Sequence, residues 1–240
     1  EDDTTRANAG DTITVSVTTS EEIVPPAITI AGQTADVTGS GVTWSGAYTI
    51  IDAEVENGEA SLSVVFEDLA SNNGVTRDSV TDSSVVTIDL VAPTLTGVSV
   101  VSSNGADTGR ANGGDTITVS MTASEPLVVP AVVIAGQTAL VTGTGTSFTA
   151  TYTVVASAVV EGDCSVGIVF RDLASNAGVD VASMTDASVV VIDLTPPTLP
   201  TVTIASDNAA DATKANVGDT IEITIVADED IVPPTVSIAG

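Results

Sequence analysis

Carboxylates and amides are the side chains here with the numbers and spacing to do chemistry. The 240 residues hold 32 Asp and Glu against 5 Lys and Arg, with no histidine, one cysteine and a formal net charge of −27. Zinc sites, Ser-His-Asp triads and Cys-His dyads all need residues this chain lacks. Nucleic acid needs a basic patch, and an anionic membrane surface disfavours a chain of this charge. Oxygen-ligated hard cations remain, Ca²⁺ above all, because it takes six to eight oxygens from carboxylates, amides and main-chain carbonyls. No pair of acids suggests an acid/base site in a cleft, so an enzyme is not expected.

The acids recur. Asp11-Thr12-Ile13-Thr14-Val15-Ser16 returns as Asp115-Thr116-Ile117-Thr118-Val119-Ser120, and in degraded form as Asp219-Thr220-Ile221-Glu222, 104 positions apart each time. In that register Glu21, Glu125 and Glu229 are equivalent, as are Asp3, Asp107 and Asp211. Asp68 and Asn72 match Asp172 and Asn176, and Asp89 matches Asp193. About half the positions of the first two copies are identical. Solenoid units run to roughly 20–50 residues, so this period fits one whole small domain.

The elements that must position these acids are strands. Aromatics are only 2% of the chain, and Val, Ile and Thr abound, which suits β-structure. Thr12 to Val17 alternates polar and apolar, as a half-buried strand does, and so do the runs around Leu62–Phe66 and Val86–Ile88. Gly, Asn, Asp and Pro separate the runs. Seven strands are predicted in the complete copy, near Leu95–Val101, Thr116–Thr122, Ala131–Ala135, Ala139–Thr142, Ser147–Val155, Val166–Phe170 and Val189–Ile192. That number of short strands in one period predicts an all-β chain of tandem immunoglobulin-like β-sandwiches with a 104-residue repeat. Trp44, Phe148, Tyr48 and Tyr152 are expected to anchor cores; a carbohydrate-stacking platform is the alternative.

The proline linkers Leu90-Val91-Ala92-Pro93 and Leu194-Thr195-Pro196-Pro197 divide the chain. Residues 1–92 form a repeat lacking its first strand, 93–193 a complete repeat, and 194–240 the first strands of a third. Two explanations are open: a window from a longer array, or a subunit completed by strands from neighbours. The N-terminus shows no signal peptide, and no apolar run has the length of a transmembrane helix.

In such tandems the end of one sandwich meets the start of the next. The first junction is expected to gather Asp3, Asp89, Glu125, Asp172 and Asn176, and the second Asp107, Asp193 and Glu229; Glu21, Asp68 and Asn72 are the counterparts in the first copy. Crowded carboxylates repel, and some protonate unless a cation sits among them. Ca²⁺ at each junction is therefore expected, set against the simpler possibility that these acids cap turns. Arg6, Arg110 and Lys214 are also equivalent, and each is expected to pair with a nearby acid such as Asp11, Asp115 or Asp219. Cys164 replaces Ala60 and reads as a small-residue slot.

The motifs Asn8-Ala9-Gly10-Asp11-Thr12-Ile13, Ser20-Glu21, Ile30-Ala31-Gly32, Asp68-Leu69-Ala70-Ser71-Asn72 and Ile88-Asp89-Leu90, followed by Pro93-Thr94, resemble bacterial Ig-like tandem repeats. Such repeats build the extender regions of biofilm-associated and RTX-type surface adhesins. The resemblance implies an extracellular, cell-surface array of β-sandwiches, usually Ca²⁺-dependent, that projects a terminal binding domain. It would place metal positions at Glu125, Asp172, Asn176, Asp89 and Asp193. The expected function is a structural spacer or stalk whose partners are neighbouring repeats, with no nucleic acid and no membrane insertion. Alternatives are a subunit of an extracellular filament of identical chains, and a glycan- or ice-binding module.

Overall fold

The computed structural model describes residues 3–238. Apart from one 3-10 turn, Asp52–Glu54, its regular elements are strands; no helix among the described residues is long and apolar enough to cross a membrane. Two compact units divide the chain, residues 1–192 and 193–240.

The first unit contains two sandwiches of the same design. In the second sandwich, one sheet runs Leu95–Ser102, Thr116–Ala123, Ser147–Thr153, Leu140–Thr144, all antiparallel. The facing sheet runs Gln137–Thr138, Ala131–Ile134, Val166–Val169. Alternation sets the packing: Ile117, Val119, Met121 and Ala123 point inward and are buried, as are Val132, Ile134, Ile168 and Phe170 opposite. A third, narrow sheet closes one end. Val191–Ile192 lies between Arg110–Ala111, to which it is parallel, and Gly162–Asp163, to which it is antiparallel. The strand predicted from Val189 is therefore only two residues long, and one of its two pairings is parallel.

The first sandwich repeats this plan with one strand fewer among the described residues. Its sheet runs Thr12–Thr18, Thr43–Thr49, Asp36–Ser40, and the facing sheet Gln33–Thr34, Ala27–Ile30, Leu62–Val65. Arg6–Ala7 is parallel to Thr87–Ile88. Among the described residues nothing occupies the place that Leu95–Ser102 fills in the second sandwich, so Thr12–Thr18 is a sheet edge. Trp44 and Tyr48 are core residues here, and Phe148 is buried in the second sandwich. The Trp44 indole N–H donates to the Gly41 carbonyl at 3.2 Å.

Among the described residues the second unit contains one antiparallel pair, Thr201–Ser206 with Ile221–Val226. Thr198 N–H and Oγ donate to the Asp228 carboxylate at 2.8 and 2.6 Å, which holds the start of this pair together.

Candidate metal centre

Three strand ends converge where the first sandwich passes into the second. Asp89 follows the Thr87–Ile88 strand, and its N–H donates to the Ala7 carbonyl at 2.9 Å. Downstream, Leu90 N–H donates to Asn57 Oδ1 at 2.7 Å, Pro93 is buried, and Thr94 N–H reaches Ser124 Oγ at 3.0 Å. The linker is therefore tied to both sandwiches. Glu125 follows Thr116–Ala123, in a turn fixed by Leu127 N–H to the Gly145 carbonyl at 2.9 Å and Val128 N–H to the Arg171 carbonyl at 3.0 Å.

Asp172 opens the loop after Val166–Val169 and is 1% exposed. Its Oδ1 accepts from the N–H groups of Ala174 and Asn176 at 2.8 and 2.9 Å, and its Oδ2 accepts from Asn176 Nδ2 at 2.8 Å. The loop thus folds around its own carboxylate, with Ser175 at φ 71°. Asp68 and Asn72 make the same turn in the first sandwich, with bonds of 2.8, 2.8 and 2.7 Å. Asn72 is the main reason the Asp68 carboxyl is held below the usual value. Turn capping by these acids is therefore real, and it leaves part of the carboxylate's capacity of about four lone pairs unused.

Carboxylate oxygens of Asp89, Glu125 and Asp172 lie within 4.8 Å of one another. Burial pushes the Glu125 carboxyl up from its ordinary value, and the charges of Asp89 and Asp172 push it further; Arg6 opposes them. Arg6 Nη1 stands 3.9 Å from Asp89 Oδ2. Asn176 completes the group, donating a second Nδ2 hydrogen bond, 2.8 Å long, to the main-chain carbonyl of Asp89. This donor set fits a hard divalent cation. Three carboxylates and the Asp89 main-chain carbonyl offer oxygens, Asn176 Nδ2 positions two of them, and Asp89 and Glu125 are only half-buried, so water can supply the rest of a six- to eight-fold shell.

The other expected ligands lie elsewhere. Asp3 is apart from the three-carboxylate group: its Oδ1 accepts from Thr5 N–H at 3.0 Å and Thr5 Oγ at 2.6 Å, and its Oδ2 faces Arg6 Nε at 3.6 Å. Those Thr5 bonds, ahead of Arg6, hold its carboxyl below the usual range. Glu21 is exposed, on the same sandwich as the Asp68–Asn72 turn. Asp107 accepts from Gly109 N–H at 2.8 Å and faces Arg110 Nε at 3.7 Å. In the second unit, Asp193 Oδ1 accepts from Thr195 N–H at 3.3 Å, and Glu229 is half-buried.

Each of the three equivalent basic residues pairs with a nearby acid, as expected, though not with the example named. Arg6, Arg110 and Lys214 meet Asp3, Asp107 and Asp211, three positions earlier, rather than Asp11, Asp115 and Asp219. The cause is the turn that folds each base back: Arg6 N–H donates to the Asp3 carbonyl at 3.0 Å, and Arg110 and Lys214 repeat this. The carboxylates of Asp11, Asp115 and Asp219 instead accept main-chain N–H from Asn8, Asn112 and Asn216. What the sequence alone left out was Arg6 as a counter-charge at Asp89 and the Asp89 carbonyl as an acceptor; the recurring Arg-Ala-Asn was the available signal for the first.

No protein-family model matches this chain, and no curated protein does. Similar solved structures include the fibronectin(III)-like modules of Clostridium thermocellum CbhA, at 14% identity over 79% of this chain and 88% of that one, with a TM-score of 0.36. A tandem from titin has 10% identity over 82% of this chain and 65% of that one, TM-score 0.38. A second titin structure, of Ig tandem domains, has 12% identity over 79% and 91%, TM-score 0.25. By its own strand order, this chain is an all-β protein of tandem immunoglobulin-like sandwiches.

Proposed function

We propose that this chain is a structural spacer of an extracellular, cell-surface array, in which Ca²⁺ bound at the seams between sandwiches stiffens a stalk. The observation that carries this reading is the convergence of Asp89, Glu125 and Asp172, from two sandwiches and three separate strand ends, within 4.8 Å. Without a cation, that gathering costs electrostatic energy in a chain already at −27. With one, the same repulsion becomes ligation that ties the linker to the second sandwich. Mg²⁺ is the weaker candidate, since it keeps its waters and demands octahedral geometry.

Isothermal titration of the chelator-stripped chain with Ca²⁺ tests this, together with small-angle scattering in Ca²⁺ and in EGTA. Binding heat that Glu125→Gln weakens, with a longer and stiffer profile in Ca²⁺, is the expected result. No heat and superimposable profiles would remove the proposal.

A further inference from the structure

A cation of the chain's own stands at the seam. The Arg6 guanidinium lies between two acids: Nη1 is 3.9 Å from Asp89 Oδ2, and Nε is 3.6 Å from Asp3 Oδ2. The main chain fixes where this side chain starts. Arg6–Ala7 pairs in parallel with Thr87–Ile88, Arg6 opposite Thr87, and the Ala7 carbonyl accepts from Asp89 N–H at 2.9 Å. Arg6 is thus anchored beside the short strand that delivers Asp89. Asp3 is fixed as well, by the turn in which its carbonyl accepts from Arg6 N–H and by two bonds from Thr5. Both ion pairs are too long for hydrogen bonds, so neither locks the guanidinium in place. It can move from one acid to the other by side-chain rotation alone. The two acids differ in surroundings: the Asp89 side chain is 19% exposed and that of Asp3 41%. Of the charges acting on Glu125, those of Asp89 and Asp172 raise its carboxyl and that of Arg6 lowers it. The guanidinium therefore offsets part of the repulsion among the three carboxylates. A divalent cation on Asp89 would in turn repel it.

We propose that Arg6 is a resident counter-cation of this seam, which neutralises Asp89 in the metal-free chain and passes to Asp3 when a divalent cation takes Asp89. This inference rests on the reading of the seam as a Ca²⁺ site. Asp3, outside the three-carboxylate group, becomes the acceptor of the displaced charge. The hand-over leaves the Asp3 turn and the Arg6–Ala7 pairing as they are. Arg6 keeps the carboxylates together before metal arrives, so the donor set is preorganised. It also sets the affinity below what those donors would give alone, because each bound ion displaces a charge. The same pairing recurs as Asp107 with Arg110 and Asp211 with Lys214, so all three copies carry the base together with its acceptor.

Calorimetric titration of full chains with CaCl₂ tests this, in about 0.1 M NaCl, where charges act over about 10 Å. Arg6→Gln removes the competing charge and should bind Ca²⁺ ~10-fold more tightly, whereas Arg6→Lys keeps the charge and should stay within about 3-fold of the parent. Asp3→Asn removes the acceptor but keeps an oxygen for Thr5, and should bind ~5-fold more weakly. In the Arg6→Gln background, Asp3→Asn should change affinity by less than about 2-fold, because Asp3 acts through Arg6; two independent fields would add. Melting in both buffers gives a second readout. Arg6→Gln should melt below the parent in EGTA and no lower than it in saturating Ca²⁺, while an ordinary ion pair would be missed equally in both. Additive effects of the two substitutions, or equal affinities of the parent and Arg6→Gln, would overturn the hand-over and leave Ca²⁺ at the seam. No Ca²⁺ heat from any of these chains would overturn both.

Discussion

The Asn176 side-chain amide donates to the main-chain carbonyl of Asp89 across the seam, at 2.8 Å, while holding Asp172 Oδ2 at the same distance. One planar group thus fastens the end of the first sandwich to a buried carboxylate of the second. Asn176→Ala removes both bonds and leaves a 1%-exposed Asp172 short of a donor. The expected loss is about 1–3 kcal/mol in urea unfolding, the range for a buried polar atom deprived of its partner. The equivalent Asn72→Ala, in a more exposed turn, should cost less.

Glu125→Gln separates electrostatic cost from ligation. The substitution removes one charge from three neighbouring carboxylates. In EGTA the variant should melt above the parent chain, because repulsion from Asp89 and Asp172 is relieved. In millimolar Ca²⁺ the order should reverse, because a charged ligand is gone. Scanning calorimetry of both chains in both buffers measures this crossing.

Acidity should act on the seam with a definite sign. The Glu125 carboxyl is raised by burial and by its two acidic neighbours, so its protonated form favours the folded chain. That contribution is complete below the ordinary Glu value of 4.5 and is lost as pH rises through the raised folded value. Asp68, lowered by Asn72, works oppositely: its contribution is present above the ordinary 3.8 and is lost as pH falls through the depressed value. In EGTA, the melting temperature of the parent chain relative to Glu125→Gln should therefore fall as pH rises from 4.5. Ca²⁺ should flatten that difference.

Gly178 lies against the ring of Phe170, where a Cβ would overlap the ring edge. Phe170 is buried, and Gly74 and Phe66 repeat the contact in the first sandwich. Gly178→Ala must displace the ring and should cost about 1–3 kcal/mol, the usual range for overpacking. Gly74→Ala should cost less, since Phe66 borders an open groove and has room to move. Denaturant midpoints of the two variants give the comparison.

The long strands were legible because period-two alternation records which face is buried. Thr116–Ala123 and Ser147–Thr153 match their predicted runs within a residue or two. The pairs Arg110–Ala111 and Gly162–Asp163 were not legible, since two residues carry no period and owe their state to Val191–Ile192 between them. At the seam, the repeat register picked out Asp89, Glu125 and Asp172 as candidates, because equivalent loops lie at equivalent ends. It did not reveal that a turn folds Arg6 back onto Asp3, nor that a main-chain oxygen of Asp89 takes part. Those depend on local backbone geometry, which side-chain types do not encode.

The parallel pairing of Arg110–Ala111 with Val191–Ile192 has a mechanical consequence. It joins the segment that follows Leu95–Ser102 to the strand that ends the second sandwich, with Val191 N–H on the Gly109 carbonyl at 2.8 Å. Once the Leu95–Ser102 ladder has given way, traction on the two ends pulls these strands past each other along their length. Their bonds are then sheared together instead of being unzipped one after another, and the core behind them stays shielded until that small clamp yields.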